Sequence, residues 1–178
     1  SSAHPNLSAL GRVEAAPFTL DTDPDDRHID RLLACLGTLD DAAPMFGNRN
    51  GVAGVGVLVA IPALVASGVL DVAREVYGSL GPAFYGLRTS VVTLLLMALL
   101  RIRRAEGLKE RSPRDLGRVL GLDRAPEMKT IRKKLKRLAA TGRAEAFGRA
   151  LARRRVAERG AAMGFLYVDG HVRVYHGK

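Results

Sequence analysis

Residues 51–70, GVAGVGVLVAIPALVASGVL, contain no charged side chain. An uncharged run of that length has two uses: a span across a bilayer, or a helix sunk into a protein core. Composition separates them. The run holds Gly51, Gly54, Gly56, Gly68 and Pro62, with Ala and Ser filling much of the rest, so it is only modestly apolar. Leu70, Val72, Ala73 and Val76 then recur at helical spacing among charged neighbours, as in an amphipathic helix of a folded domain. A second apolar run, VVTLLLMALLRIRR at 91–104, is too short to span alone, although its basic end resembles a positive-inside flank. Buried core helices are the expectation for both runs. A small membrane protein with one span at 51–70 and a basic cytoplasmic tail is the alternative.

Charge narrows the reading further. The chain carries a formal net charge of +10, unevenly spread. Residues 1–45 hold eight acids and three bases, whereas residues 101–159 hold twenty bases and seven acids. A field so concentrated and one-signed favours a polyanionic partner. Residues 1–28 combine Pro, Ser and clustered Asp without sustained periodicity, so 1–45 is expected to be a flexible acidic segment. Within it, Ile29, Leu32, Leu33 and Leu36 predict at most a short amphipathic helix. Cys35 is the only cysteine, which excludes an internal disulfide, and His4, His28, His171 and His176 show no zinc-type spacing. No structural metal is expected.

Residues 112–142 are the most legible stretch. Ser112, with Asp115 three residues on and Pro113 between them, predicts a capped helix start; Leu116, Val119 and Leu120 form its apolar face and Gly121 closes it. Pro126 opens a second helix in which Met128, Ile131, Leu135 and Leu138 share an arc of roughly 80°. Lys129, Arg132, Lys133, Lys134, Lys136 and Arg137 occupy the remainder, with no acid among them. A merely solvated helix tends to mix signs. Helix, tight turn and basic amphipathic helix predict a helix-turn-helix-like unit holding duplex DNA. A further helix over 143–160 adds Arg153, Arg154 and Arg155 to the expected DNA-binding set. Interleaved aromatics are scarce there, which disfavours RNA, and a stand-alone helical nucleic-acid-binding regulator remains a rival.

At Gly164 the apolar period shifts from helical to alternating. GFLYVDGHVRVYHGK (164–178) predicts a β-hairpin turning at Asp169-Gly170. Its first strand is apolar on both faces, as in the middle of a sheet, and a lone hairpin is marginal in water. Asp169 therefore has two readings: a turn residue, or a carboxylate placed to hold a divalent cation.

The order of GRVLGLDRAPEMKTIRKKLKRLA, then RALARRRVAERGAAMGFLYVDGHVRVYHGK, resembles the front part of bacterial insertion-sequence transposases of the DDE type. The resemblance implies a mainly α fold: a helical basic DNA-binding domain over 46–160, then from 161–178 the opening hairpin of a truncated, ribonuclease-H-like α/β catalytic domain. It implies that Asp169 is the first catalytic and metal-binding acid. Magnesium is implied for the full-length family and not for this stretch, which lacks two of the three acids and is expected to be inactive in strand cleavage by itself. Duplex DNA is the implied partner, a second copy of the chain is admissible, and a membrane is disfavoured. The implied location is the bacterial cytoplasm, at the nucleoid.

Overall fold

Of the acids ahead of the first helix, Asp21 packs inward. The computed structural model of the chain describes residues 20–160, and within them residues 21–45 form a strap laid across the helices that follow. Helix α1 is His28–Cys35. Its own N-cap makes no side-chain hydrogen bond. Instead Asp21, buried, accepts from the Asp30 amide at 2.8 Å and the Ile29 amide at 3.4 Å, satisfying first-turn donors from outside the helix. Leu32 and Leu36, read as part of an apolar face, are exposed, while Arg27 and Asp30 are buried. Polar residues therefore anchor this helix.

Arg27 is the hub. Its Nε and Nη2 donate to Asp30 at 2.9 and 2.6 Å, and Nη2 also donates to the Ala43 carbonyl at 2.8 Å. Nη1 reaches the Gly121 carbonyl, 94 positions along the chain, at 3.3 Å. The Met45 amide donates to that same carbonyl at 2.7 Å. Strap, α1 and the end of a distant helix thus meet on one guanidinium. Further along, Asp41 accepts from the Gly86 and Thr89 amides at 3.0 and 3.1 Å, capping helix α4, Leu87–Leu99. The Ala42 and Ala83 amides bond the Phe84 and Leu39 carbonyls across the same seam.

The uncharged run does not form a buried core helix. It breaks into a 3₁₀ turn, Val55–Ala60, and helix α2, Ile61–Ala66, then bends at Gly68 (φ 63°) into α3, Val69–Tyr77. None of Val55–Ala66 is buried, and Val59 is 85% exposed. No single described helix is long and apolar enough to cross a membrane; Val55–Ala66 with Val69–Tyr77 meets the length and composition only as a pair bent by 61°. The second run does enter the core: α4 buries Leu87, Thr89, Ser90, Thr93, Leu96 and Met97. The hydroxyls of Ser90 and Thr93 bond the carbonyls one turn back, so these buried groups are satisfied within the helix.

Helix α4 ends in a Schellman motif, with the Ile102 amide bonding Met97 O at 2.8 Å and the Arg101 amide bonding Ala98 O at 3.1 Å. Arg101 takes the left-handed position at φ 57°, where a side chain costs about 1 kcal/mol relative to glycine. Ile102 turns into the core behind it. After a 3₁₀ turn at Ala105–Glu110 come α5, Pro113–Leu120, and α6, Met128–Ala140. Ser112 accepts from the Asp115 amide at 3.2 Å, and Gly121 closes α5 at φ 72°. Residues 121–127 fold back on α5, with the Leu122 amide on Gly117 O and the Ala125 amide on Pro113 O. Gly117 permits this, because a Cβ there would lie 2.5 Å from the Arg124 Cα. Leu116, Val119, Leu120, Leu122, Ala125 and Ile131 join Leu96, Met97 and Phe84 in one core. Helix α7, Ala144–Arg159, buries no residue and rests on α3.

The expected class is corrected accordingly. The described residues are mainly helical with no strand or sheet among them, so neither a β-hairpin nor a ribonuclease-H-like α/β domain is shown among those residues. Residues 164–178, on which the hairpin was read, lie outside the described residues. The tight helix-turn-helix is also replaced. The connection at 121–127 is longer than the three or four residues such a turn uses, and α6 packs mainly on the 3₁₀ turn.

Leaving either member of the Arg27–Asp30 pair uncompensated in the interior should be severe. Asp30→Ala is expected to lose about 3–5 kcal/mol of unfolding free energy in denaturant melts. The double replacement Arg27→Met/Asp30→Leu should lose measurably less than the sum of its parts.

Candidate nucleic-acid interface

Which side of α6 faces outward follows from how it lies on the 3₁₀ turn. Ile131 is 1% exposed and Lys134 only 6%, whereas Leu135 is 41% exposed. The buried face is therefore rotated from the apolar arc toward Lys134. The lysine carries its aliphatic stem inward, a use open to long amphipathic side chains. Burial lowers the Lys134 pKa from its ordinary value; Arg137 and Lys133 act in the same direction, and Asp41 opposes them.

The outer ridge of α6 carries Lys129, Lys133 and Lys136, all exposed and with no side-chain partner among the described residues. Arg132 and Arg137 are exposed too but engaged: Arg132 pairs with Glu106 of the 3₁₀ turn, and Arg137 donates to the Leu80 carbonyl at 3.1 Å. At 1.5 Å rise per residue the three lysines span about 10 Å along the helix, roughly three phosphate steps of one strand along the duplex axis. Lys129 and Lys109 both line a cleft of about 230 Å³, together with Leu108, Leu116 and Met128. The cationic ridge thus continues from α6 onto the 3₁₀ turn.

Helix α7 contributes less uniformly. Arg153 and Arg155 are exposed without partners among the described residues, while half-buried Arg154 is paired with Asp71 at 3.5 Å and Glu158 at 3.0 Å. Arg154 helps seat the helix, together with the Phe147–Tyr77 ring contact and the 2.7 Å bond from Arg143 to the Val76 carbonyl. The expected set therefore divides: Lys129, Lys133, Lys136, Arg153 and Arg155 are outward and unengaged; Arg132, Arg137 and Arg154 are engaged; Lys134 is inside.

Reading helix faces missed a second group. Arg101, Arg103, Arg104, Lys109, Arg111 and Arg114 are exposed and have no side-chain partner among the described residues. Their density within fourteen positions was visible in the sequence, but all except Arg114, in the first turn of α5, lie in turns, where no helical face draws them together.

The acids are used differently. Asp123 takes two bonds from Arg31 at 2.8 and 2.9 Å, Asp115 faces Arg118 at 3.7 Å, and Asp25 serves both Arg49 and Arg118. Among the described residues no three His, Cys, Asp or Glu side chains gather as a metal site would require. Asp169, which carries the magnesium expectation, lies outside them.

Comparison with known proteins decides the family. A family model described as "Transposase protein" matches residues 25–178. The chain belongs to this transposase family. No curated protein and no solved structure matches it. The matched span opens at Asp25 and so takes in the Arg27–Asp30 hub together with the helices of this transposase-family chain.

The position of Lys134 has a consequence for pH. Its unfolded pKa of about 10.5 exceeds the folded one, so between the two the unfolded state holds more protons and wild-type stability rises with pH. Lys134→Met keeps the packing stem and removes the charge. It should melt above wild type near pH 7, and the gap should narrow as pH climbs toward 10.5. Thermal unfolding across that range measures both.

Proposed function

We propose that the chain is the duplex-DNA-holding part of a bacterial insertion-sequence transposase of the DDE type. The observation that carries the reading is the α6 ridge, where Lys129, Lys133 and Lys136 stand exposed without a carboxylate to pair them among the described residues. Ammonium groups so placed gain by displacing counterions from a phosphate backbone, a driving force that needs no particular base sequence. Arg153 and Arg155 extend the grip along α7. Strand transfer in this family would use magnesium held by carboxylates, of which Asp169 would be the first in this reading. The setting is the bacterial cytoplasm, at the nucleoid.

Titrating a labelled duplex of random sequence between about 50 and 200 mM salt tests the reading. Log affinity should fall linearly with log salt, and the triple change Lys129→Ala, Lys133→Ala, Lys136→Ala should flatten the slope by about three units. Lys134→Met should leave the slope where it was. Affinity indifferent to both salt and the triple change would count against DNA holding.

A second reading has an observation of its own: Val55, Val59 and Val65 are exposed on an uncharged segment. In this reading the bent pair of helices enters a bilayer. Resistance of the expressed chain to carbonate extraction would favour it; release into the carbonate supernatant would remove it.

A further inference from the structure

The free lysines and the free arginines of this surface occupy different scaffolds. The α6 ridge is lysine: Lys129, Lys133 and Lys136. A lysine ammonium is a point charge on a flexible stem, suited to phosphate and poor at telling one base from another. The arginines of α6, whose planar forks match the O6 and N7 edge of guanine, are turned to Glu106 and to the Leu80 carbonyl. Neither Asn nor Gln, the side chains suited to adenine, occurs in the helix.

Three of the unengaged arginines cluster on the turn that ends α4, whereas Arg111, Arg114, Arg153 and Arg155 stand elsewhere on the chain. Arg101, Arg103 and Arg104 are all exposed and without side-chain partners among the described residues. Their presentation is fixed by the backbone. The two Schellman bonds pin the turn to α4, and Ile102, 9% exposed, is driven into the core between Arg101 and Arg103. Arg101 sits at φ 57°, a position glycine would take without strain. A left-handed arginine with no side-chain hydrogen bond or ion pair among the described residues points to a use outside the fold. Arg104 leads directly into the 3₁₀ turn on which the buried face of α6 packs, so the arginine turn and the lysine-bearing helix share one support.

We infer that the Arg101–Arg104 turn is the base-discriminating contact of this chain, while α6 holds the phosphate backbone without reading it. The inference rests on the DNA-holding reading above. It assigns sequence selectivity to a rigid loop, and only affinity to the basic helix.

The test uses the full chain and a pool of randomised duplexes. Rounds of selection yield an enriched duplex, and its affinity is compared with that for the unselected pool. Arg101→Gly/Arg103→Ala/Arg104→Ala should reduce the selected-to-random affinity ratio by about tenfold. Its thermal midpoint should match or exceed that of wild type, since glycine suits the left-handed position. Lys129→Ala/Lys133→Ala/Lys136→Ala should weaken binding to both duplexes in parallel and leave the ratio intact. A ratio unchanged in the arginine variant, or lost in the lysine variant, overturns the inference. So does a wild-type chain that grips every duplex equally, which still leaves DNA holding in place. Failure of the wild type to bind any duplex at all refutes the parent reading, a distinguishable result.

Discussion

One buried guanidinium organises this fold. Arg27 is closed off from water, and among the described residues it joins different parts of the chain: Asp30 on α1, Ala43 on the strap, Gly121 at the end of α5. Two buried charges are tolerable only when the geometry is good and the remaining donors are used. Here they are, and Phe84 lies beneath the guanidinium at 5.8 Å. Because Gly121 also accepts from Met45, the strap cannot peel away without exposing the end of α5 and opening the core around Leu120 and Leu122. Around this centre Arg31 repeats the scheme at lower burial, bonding Asp123 and lying 3.9 Å over the Phe84 ring. The acidic beginning and basic remainder of the chain are thus partly two halves of one folded unit.

That arrangement also sorts the charges. Asp25, Asp30, Asp41 and Asp123 are occupied with arginines or helix amides inside or at the edge of the body. On the strap Asp23, Asp26 and Asp40 stay exposed outside these bonds, without a Lys or Arg partner among the described residues. The lysines of α6 and the turn arginines are unpaired among the described residues, so positive charge is concentrated locally at that surface.

How much of this was legible depended on how local the physics was. The limits of α5 were readable from Ser112, Pro113 and Gly121, and those of α6 from Pro126 and Gly142, because caps act over a few residues. The rotation of α6 was not readable: Leu135 outranks Lys134 on any apolar scale, yet the neighbours supplied by the 3₁₀ turn bury the lysine. The strap read as flexible for a similar reason. Its order comes from bonds to Gly121 and Phe84, far along the chain, which no window of sequence contains. In the uncharged run neither the bend at Gly68 nor the exposure of Val59 was read, and no described element covers Val59. At the interface, helical periodicity found the lysines of α6 and passed over the arginines of the 101–104 turn, which belong to no periodic face.

Helix α7 is fastened only along its edge. Its anchors are a ring contact, one carbonyl bond and the Arg154 pairs, all with α3 or within itself, and none of its side chains is buried. Its detachment need not disturb Arg27 or the residues around Leu96, so it belongs to the low-energy end of the opening spectrum, where a segment frees itself while the body stays folded. With Gly142 in a left-handed conformation just ahead of it, α7 has the makings of an outrigger: a stiff rod that swings on a short joint and carries its arginines with it.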